Sequence, residues 1–144
     1  MTTQLSYQQM AQAGGTVSAK CTAAKTTYGD AAGAVLLDTV PAGMTYRYDA
    51  FGAMPQGTLT ATQVIIWRST DGVILYPIAS GLMSAYTLTQ TSALPMTAML
   101  KMDGTTVQSA SPVWASGGDS IYASIGVALA AGVVVSASRV VFKP

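Results

Sequence analysis

Histidine and glutamate are absent from this 144-residue chain, and cysteine occurs once, at Cys21. Without histidine there is no imidazole to act as a general base near neutral pH, and none to ligate zinc. One cysteine closes no intrachain disulfide. Charge is scarce as well. Seven Lys or Arg and six Asp make up 9% of the chain, against about 25% in an ordinary soluble domain. The net charge of +1 leaves no basic footprint for nucleic acid, so no direct nucleic-acid partner is expected. Long apolar runs are also missing. A helical membrane span needs about 18 apolar residues, but the longest run, Ile125 to Val135, is shorter and contains Gly126 and Gly132. An outer-membrane barrel wants aromatic girdles, for which two Trp, two Phe and seven Tyr are too few. The opening MTTQLSYQQMAQAGG has neither a basic start nor an apolar core, so a Sec-type leader is not expected. No membrane partner is expected either.

Half of the residues are hydrophobic, which is far too many for a disordered chain. A folded domain of this mass exposes roughly 6,900 Å². Thirteen charges are thinly spread over such an area, so Thr, Ser, Gln, Ala and exposed apolar atoms must cover the rest. Large exposed apolar area favours association. The composition therefore favours a stable assembly over a lone monomer.

The first 33 residues are rich in Gln, Ala, Thr and Gly. They read as a partly irregular N-terminal arm with one short strand at Thr16 to Thr22. From Ala34 to Pro144 the pattern is strand and turn. Ala34 to Val40 is an apolar run stopped by Pro41-Ala42-Gly43. Met44, Tyr46, Tyr48 and Ala50 alternate with Thr45, Arg47 and Asp49, the period of a half-buried strand. Val64-Ile65-Ile66-Trp67 suggests a strand covered on both faces or at a subunit contact. Asp71-Gly72 predicts a type I′ hairpin turn into Val73 to Ile78, and Pro77 places that strand near an edge. Further strands are expected at Ser84 to Gln90 and over Met96, Ala98, Leu100 and Met102. Asp103-Gly104 then turns into Thr105 to Ala110. After the turn Gly117-Gly118-Asp119, residues Ile121 to Leu129 and Val133 to Phe142 close the chain. Six methionines, Met44, Met54, Met83, Met96, Met99 and Met102, are expected as adaptable core filling. Eight or nine strands with regular turns predict an all-β fold. The expected architecture is an antiparallel, jelly-roll-like β-sandwich.

The chemistry-bearing residues are sparse. Asp30, Asp38, Asp49, Asp71, Asp103 and Asp119 are well separated, and the last three adjoin Gly in turns, where Asp stabilises the turn itself. No phosphate-binding loop, nucleophile elbow or calcium-loop spacing occurs. Cys21 beside Lys20 is expected to be an inert thiol. No catalytic, cofactor-binding or metal-ligating residue is assigned, and an enzymatic role is not expected. Trp67 and Trp114 suit packing better than sugar stacking. Arg47, Arg68, Arg139 and Trp114 are candidate interface anchors, since Arg and aromatic residues are enriched at interfaces. Tyr7 and Met10 are candidates on an arm draped over a neighbouring subunit.

Three stretches carry a resemblance: TVPAGMTYRYDAFG from Thr39, TATQVIIWRSTDGVILYPI from Thr60, and PVWASGGDSIYASIGVALAAGVVVSASRVVF from Pro112. With them, Thr39 to Phe142 resembles the small β-sandwich virion proteins of tailed bacteriophages. The resemblance implies a jelly-roll subunit, without an active site, that decorates and cements the capsid. Its partners would be the major capsid protein and copies of itself, a trimer being one candidate homo-oligomer. It would be made in the host cytoplasm and end on the virion surface. A receptor- or glycan-binding module of a tail or head fibre is the alternative.

Overall fold

The computed structural model describes residues 11–102, 107–108 and 112–143. They form two antiparallel sheets packed face to face, with no helix among the described residues. In chain order the strands are β1 (Ala11–Cys21), β2 (Val35–Thr39), β3 (Thr45–Pro55), β4 (Thr62–Ser69), β5 (Tyr76–Met83) and β6 (Thr97–Ala98). There follow β7 (Leu100–Met102), β8 (Val107–Gln108), β9 (Val113–Ser116), β10 (Ser120–Ile125) and β11 (Val133–Phe142). Two of these eleven, β6 and β8, are pairings of only two residues.

Sheet one runs β1-β11-β3, and the far side of β3 is shared by β9 and β6. Sheet two runs β2-β10-β4-β5-β7-β8. Setting aside the insertion β6–β8, the first, last, third and sixth long strands face the second, seventh, fourth and fifth. That is the order of a jelly roll, and the antiparallel sandwich expected from the turn spacing is the observed fold.

Alternation builds the core. Val17 and Ala19 of β1 pack toward it while Thr16, Ser18 and Lys20 are exposed. Val133, Val135 and Ala137 of β11 lie opposite Pro55, Ala53 and Phe51 of β3, all buried. From sheet two come Val64, Ile66, Ile121, Ala123 and Ile125. The lead-in is more regular than its composition suggests. Thr16 to Cys21 pairs in register with Ser138 to Val133, so the segment Ala11–Cys21 is an edge strand of sheet one.

Several local expectations fail for identifiable reasons. Ala50 leaves the face of Tyr46 and Tyr48 because a register shift at Ser138/Arg139 breaks the alternation. Asp71-Gly72 is not a type I′ turn: Gly72 has φ 77°, but Asp71 does not have a positive φ. Instead the Asp71 carboxylate accepts the amides of Val73 (2.8 Å) and Ile74 (2.9 Å), and β5 starts only at Tyr76. Ser84 to Gln90 forms no strand; it is tied to the loop before β4 by the Leu59–Tyr86 bridge and by the Leu88 amide on the Thr58 hydroxyl at 3.1 Å. Met96 to Met102 is split. Its first part pairs in sheet one, its last part pairs in sheet two, and the buried Met99 marks the crossing. Met83 and Met99 are core residues, but Met96 is exposed. The strand expected through Leu129 ends at Ile125. The turn at Asp103-Gly104 lies outside the described residues.

One glycine is fixed by close approach. A Cβ on Gly117 would meet Pro41 O and Gly43 N, each at 2.8 Å, where two turns stack backbone on backbone. Neither neighbour is a flexible side-chain end. Gly117→Ala is expected to cost about 2 kcal/mol through overpacking. Gly15→Ala, with nothing within 4 Å, serves as the near-neutral control. Thermal unfolding of the two variants measures the difference.

Candidate functional site

The two outer faces differ. On sheet one, Thr16, Ser18 and Lys20 of β1 stand beside Ser136 and Ser138 of β11, and the Ser18 and Ser136 hydroxyls lie 3.0 Å apart. Further along, β9 pairs with β3 so that Trp114 lies opposite Arg47, and Thr45 lies opposite Phe142. This register assembles a platform. The Trp114 and Phe142 rings are 5.5 Å apart, and the Arg47 guanidinium is 5.8 Å from each. Asp49 holds Arg47 by a 2.8 Å ion pair. Arg68, from sheet two, donates to the Trp114 carbonyl at 3.1 Å. Trp114 is 50% exposed, so the platform is open.

The structure thus brings together three residues singled out by type, Arg47, Arg68 and Trp114. It adds Phe142 and Asp49, which sequence reasoning missed as members of the group. Arg47 and Asp49, two apart on one strand, carried a signal. Phe142 did not, because only the β3–β11 register places it. Of the other candidates, Arg139 pairs with Asp38, and Tyr7 and Met10 lie outside the described residues.

On sheet two the residues 22–33 fold back over the strands. Lys25 is buried and donates to Asp30 O and Ala32 O, both at 2.6 Å. This holds Tyr28 against Trp67, their rings 5.6 Å apart, with the Lys25 ammonium 5.7 Å from the indole. The Tyr28 hydroxyl accepts from the Gln63 amide, and Trp67 donates to Ser124 at 2.7 Å. Trp67 is therefore only 3% exposed and is no open stacking platform. Beside it lies a mostly apolar groove of about 420 Å³, lined by Tyr28, Gln63, Ile65, Pro77, Ser80 and Met102 among others.

Each described acid has a local task. Asp30 pairs with Lys25, Asp38 with Arg139 and Asp49 with Arg47. Asp71 ties its loop, and Asp119 accepts the Ser116 amide at 3.0 Å. Hydrogen bonds from Lys25 and Thr27 lower the Asp30 pKa, and the Ile74 and Val73 amides lower that of Asp71. Among the described residues no three His, Cys, Asp or Glu gather as a metal site. Nor is any helix there long and apolar enough to cross a membrane.

Burial pushes the Cys21 thiol from 9.0 up to about 11. Burial first, and the hydrogen bond to Asp38 next, raise the Tyr48 phenol well above its ordinary range. In both cases the folded state keeps a proton that the unfolded chain releases. For Cys21 the resulting stabilisation is complete below pH 9 and is lost as pH rises through about 11. Cys21 alone should remove about 2 kcal/mol by pH 11. Urea unfolding across that window checks it, with a shallower decline expected for Cys21→Ala.

The fold and these surfaces define a jelly-roll sandwich with an aromatic–arginine platform on one face and an uncharged groove on the other. The chain matches no family model, no curated protein and no solved structure.

Proposed function

We propose that this protein is a non-enzymatic structural subunit of a bacteriophage virion. In this reading it is a capsid decoration protein that cements the head shell from outside, contacting the major capsid protein and copies of itself. The observation that carries the reading is the open platform of Trp114, Phe142 and Arg47 on the outer face of sheet one. Large aromatics with a stacked Arg are the residues that dominate binding energy at protein interfaces. Arg47 is already oriented by Asp49, so little ordering is needed on docking. Every described acid is engaged in a turn or an ion pair, which fits a scaffold rather than a catalyst.

The test is co-sedimentation of the purified chain with heads of the phage that encodes it. Saturable binding is expected, weakened by about 30-fold in Trp114→Ala, the scale of an interface hot spot. Wild-type protein that leaves the heads unbound overturns the reading. A half-exposed Trp114 also suits a sugar ring. Glycan-array binding that disappears in Trp114→Ala would move the function to a receptor-binding module of a fibre.

A further inference from the structure

Directly paired residues share a face of a sheet, so the ladder of sheet two can be read outward row by row. One row is Leu36, Tyr122, Trp67 and Pro77 across β2, β10, β4 and β5. The next is Ser124, Ile65, Ser80 and Leu100, and beyond it lie Gln63 and Leu82. No charged side chain stands on these rows. The inward Lys101 of β7 instead donates across the sandwich to Asp49 O at 2.6 Å. Yet Leu36, Leu82 and Leu100 on this face are 52%, 69% and 48% exposed. The outer face of sheet one, in contrast, carries Lys20, Arg47, Asp49 and the serines of β1 and β11. Charge thus stands on the outer face of sheet one, beside the exposed Trp114 and Met96, and is missing from these rows of sheet two.

We infer that the outer face of sheet two is the surface through which two copies of this chain pair. Charge decides the occupant. An uncharged surface desolvates without penalty only against another uncharged surface. The surface of that kind found on the described residues is this face itself. A two-fold contact is self-complementary. It sets protruding side chains such as Leu82 of one copy toward the groove of the other. Five strands about 4.8 Å apart and the eight residues of β4 at about 3.3 Å each span roughly 24 by 26 Å, of which the part over Trp67 is already covered by Tyr28 and its loop. Protruding side chains enlarge that footprint toward the ~800 Å² per partner of a stable interface. The loop that covers one end of this face carries a charge pair, the sealed Lys25 and the half-exposed Asp30, which bounds the uncharged rows on that side.

The pairing deepens the structural reading above by naming the face that meets a second copy. It uses the side opposite Trp114, so either can fail alone. Analytical ultracentrifugation of the full chain should give a dimer whose dissociation constant rises at least about 30-fold in Leu82→Asp. Trp114→Ala should leave it unchanged. Radical footprinting of the wild type at high and low concentration supplies a second measurement that needs no variant. Labelling of Leu82, Leu100 and Met102 should fall as the concentration rises, while that of Trp114 stays constant. A wild type that remains monomeric, or an oligomer indifferent to Leu82→Asp with constant labelling of this face, overturns the inference. If labelling drops only on adding phage heads, the face belongs to the shell protein and self-pairing is refuted.

Discussion

Replacing Arg139 by methionine is expected to remove about 4 kcal/mol of folding stability, the cost of stripping a buried carboxylate of its partner. Asp38 reaches from β2 of one sheet toward β11 and β3 of the other. Its side chain is 9% exposed, and Arg139 Nη1 donates to Oδ1 at 2.6 Å. The fully buried Tyr48 donates its hydroxyl to Oδ2 at 2.7 Å. The guanidinium also sits 4.6 Å over the Tyr46 ring. Removing Arg139 leaves Asp38 the Tyr48 phenol and the Thr39 amide but no countercharge. Removing all the side-chain members should behave differently. The triple substitution Asp38→Leu, Arg139→Met, Tyr48→Phe frees only the amide of the exposed Thr39, which water can satisfy, and is expected to recover most of the loss, since apolar replacement of a buried pair is often neutral. Urea denaturation of single and combined variants measures both. A cost under about 1 kcal/mol for Arg139→Met would show that solvent reaches Asp38 and screens it.

This network shows where sequence reading stops. The strands that carry it were legible. Val133 to Phe142 is β11 as expected, and Tyr46 and Tyr48 do face inward from β3. The alternation of apolar and polar residues records which way a side chain points, but not what it meets. Asp38 and Tyr48 come from consecutive strands, but Arg139 joins them from 101 residues beyond Asp38. The site has the same character. Arg47, Arg68 and Trp114 stood out by residue type, while the pairing of β9 with β3 and the reach of Arg68 to the Trp114 carbonyl are tertiary facts.

Where local signals misled, a long-range partner had won or was missing. Ser84 to Gln90 has strand alternation, but its bonds to Leu59 and Thr58 reach a loop and not a strand, so it stays a loop. Met96 to Met102 reads as one face. Because it lies where the two sheets meet, half of it joins each. The scarcity of charge was plain from composition, which records an amount and not a place. Only the strand register separates a polar sheet one from an apolar sheet two.

Lys25→Met is expected to cost about 3 kcal/mol, and the loss should be local before it is global. Lys25 drew no attention in the sequence, standing in a Thr/Ala stretch with no neighbouring acid closer than Asp30. In the fold its side chain is 1% exposed, and its ammonium satisfies two main-chain carbonyls and the Asp30 carboxylate. Charged hydrogen bonds are worth roughly 1.5–3 kcal/mol each, and a buried carbonyl left without a donor carries its own penalty. Methionine keeps the bulk and removes every donor. The segment it anchors also bonds to β10 through the Lys25 amide and Ile125 O at 2.8 Å, so the backbone attachment survives the substitution. What is released is the span from Thr26 to Gly33 with Tyr28. Trp67 loses its cover, and the groove beside it opens. Trp67 is buried and Trp114 half exposed, so a red shift and increased quenching of fluorescence in Lys25→Met, read against Trp114→Phe as background, reports Trp67 alone. An unchanged emission with unchanged stability would mean that Tyr28 and the Gln63 bond hold the loop without the lysine. If the outer face of sheet two is where two copies meet, the same variant should also weaken the dimer, because Tyr28 and Trp67 form one wall of that face.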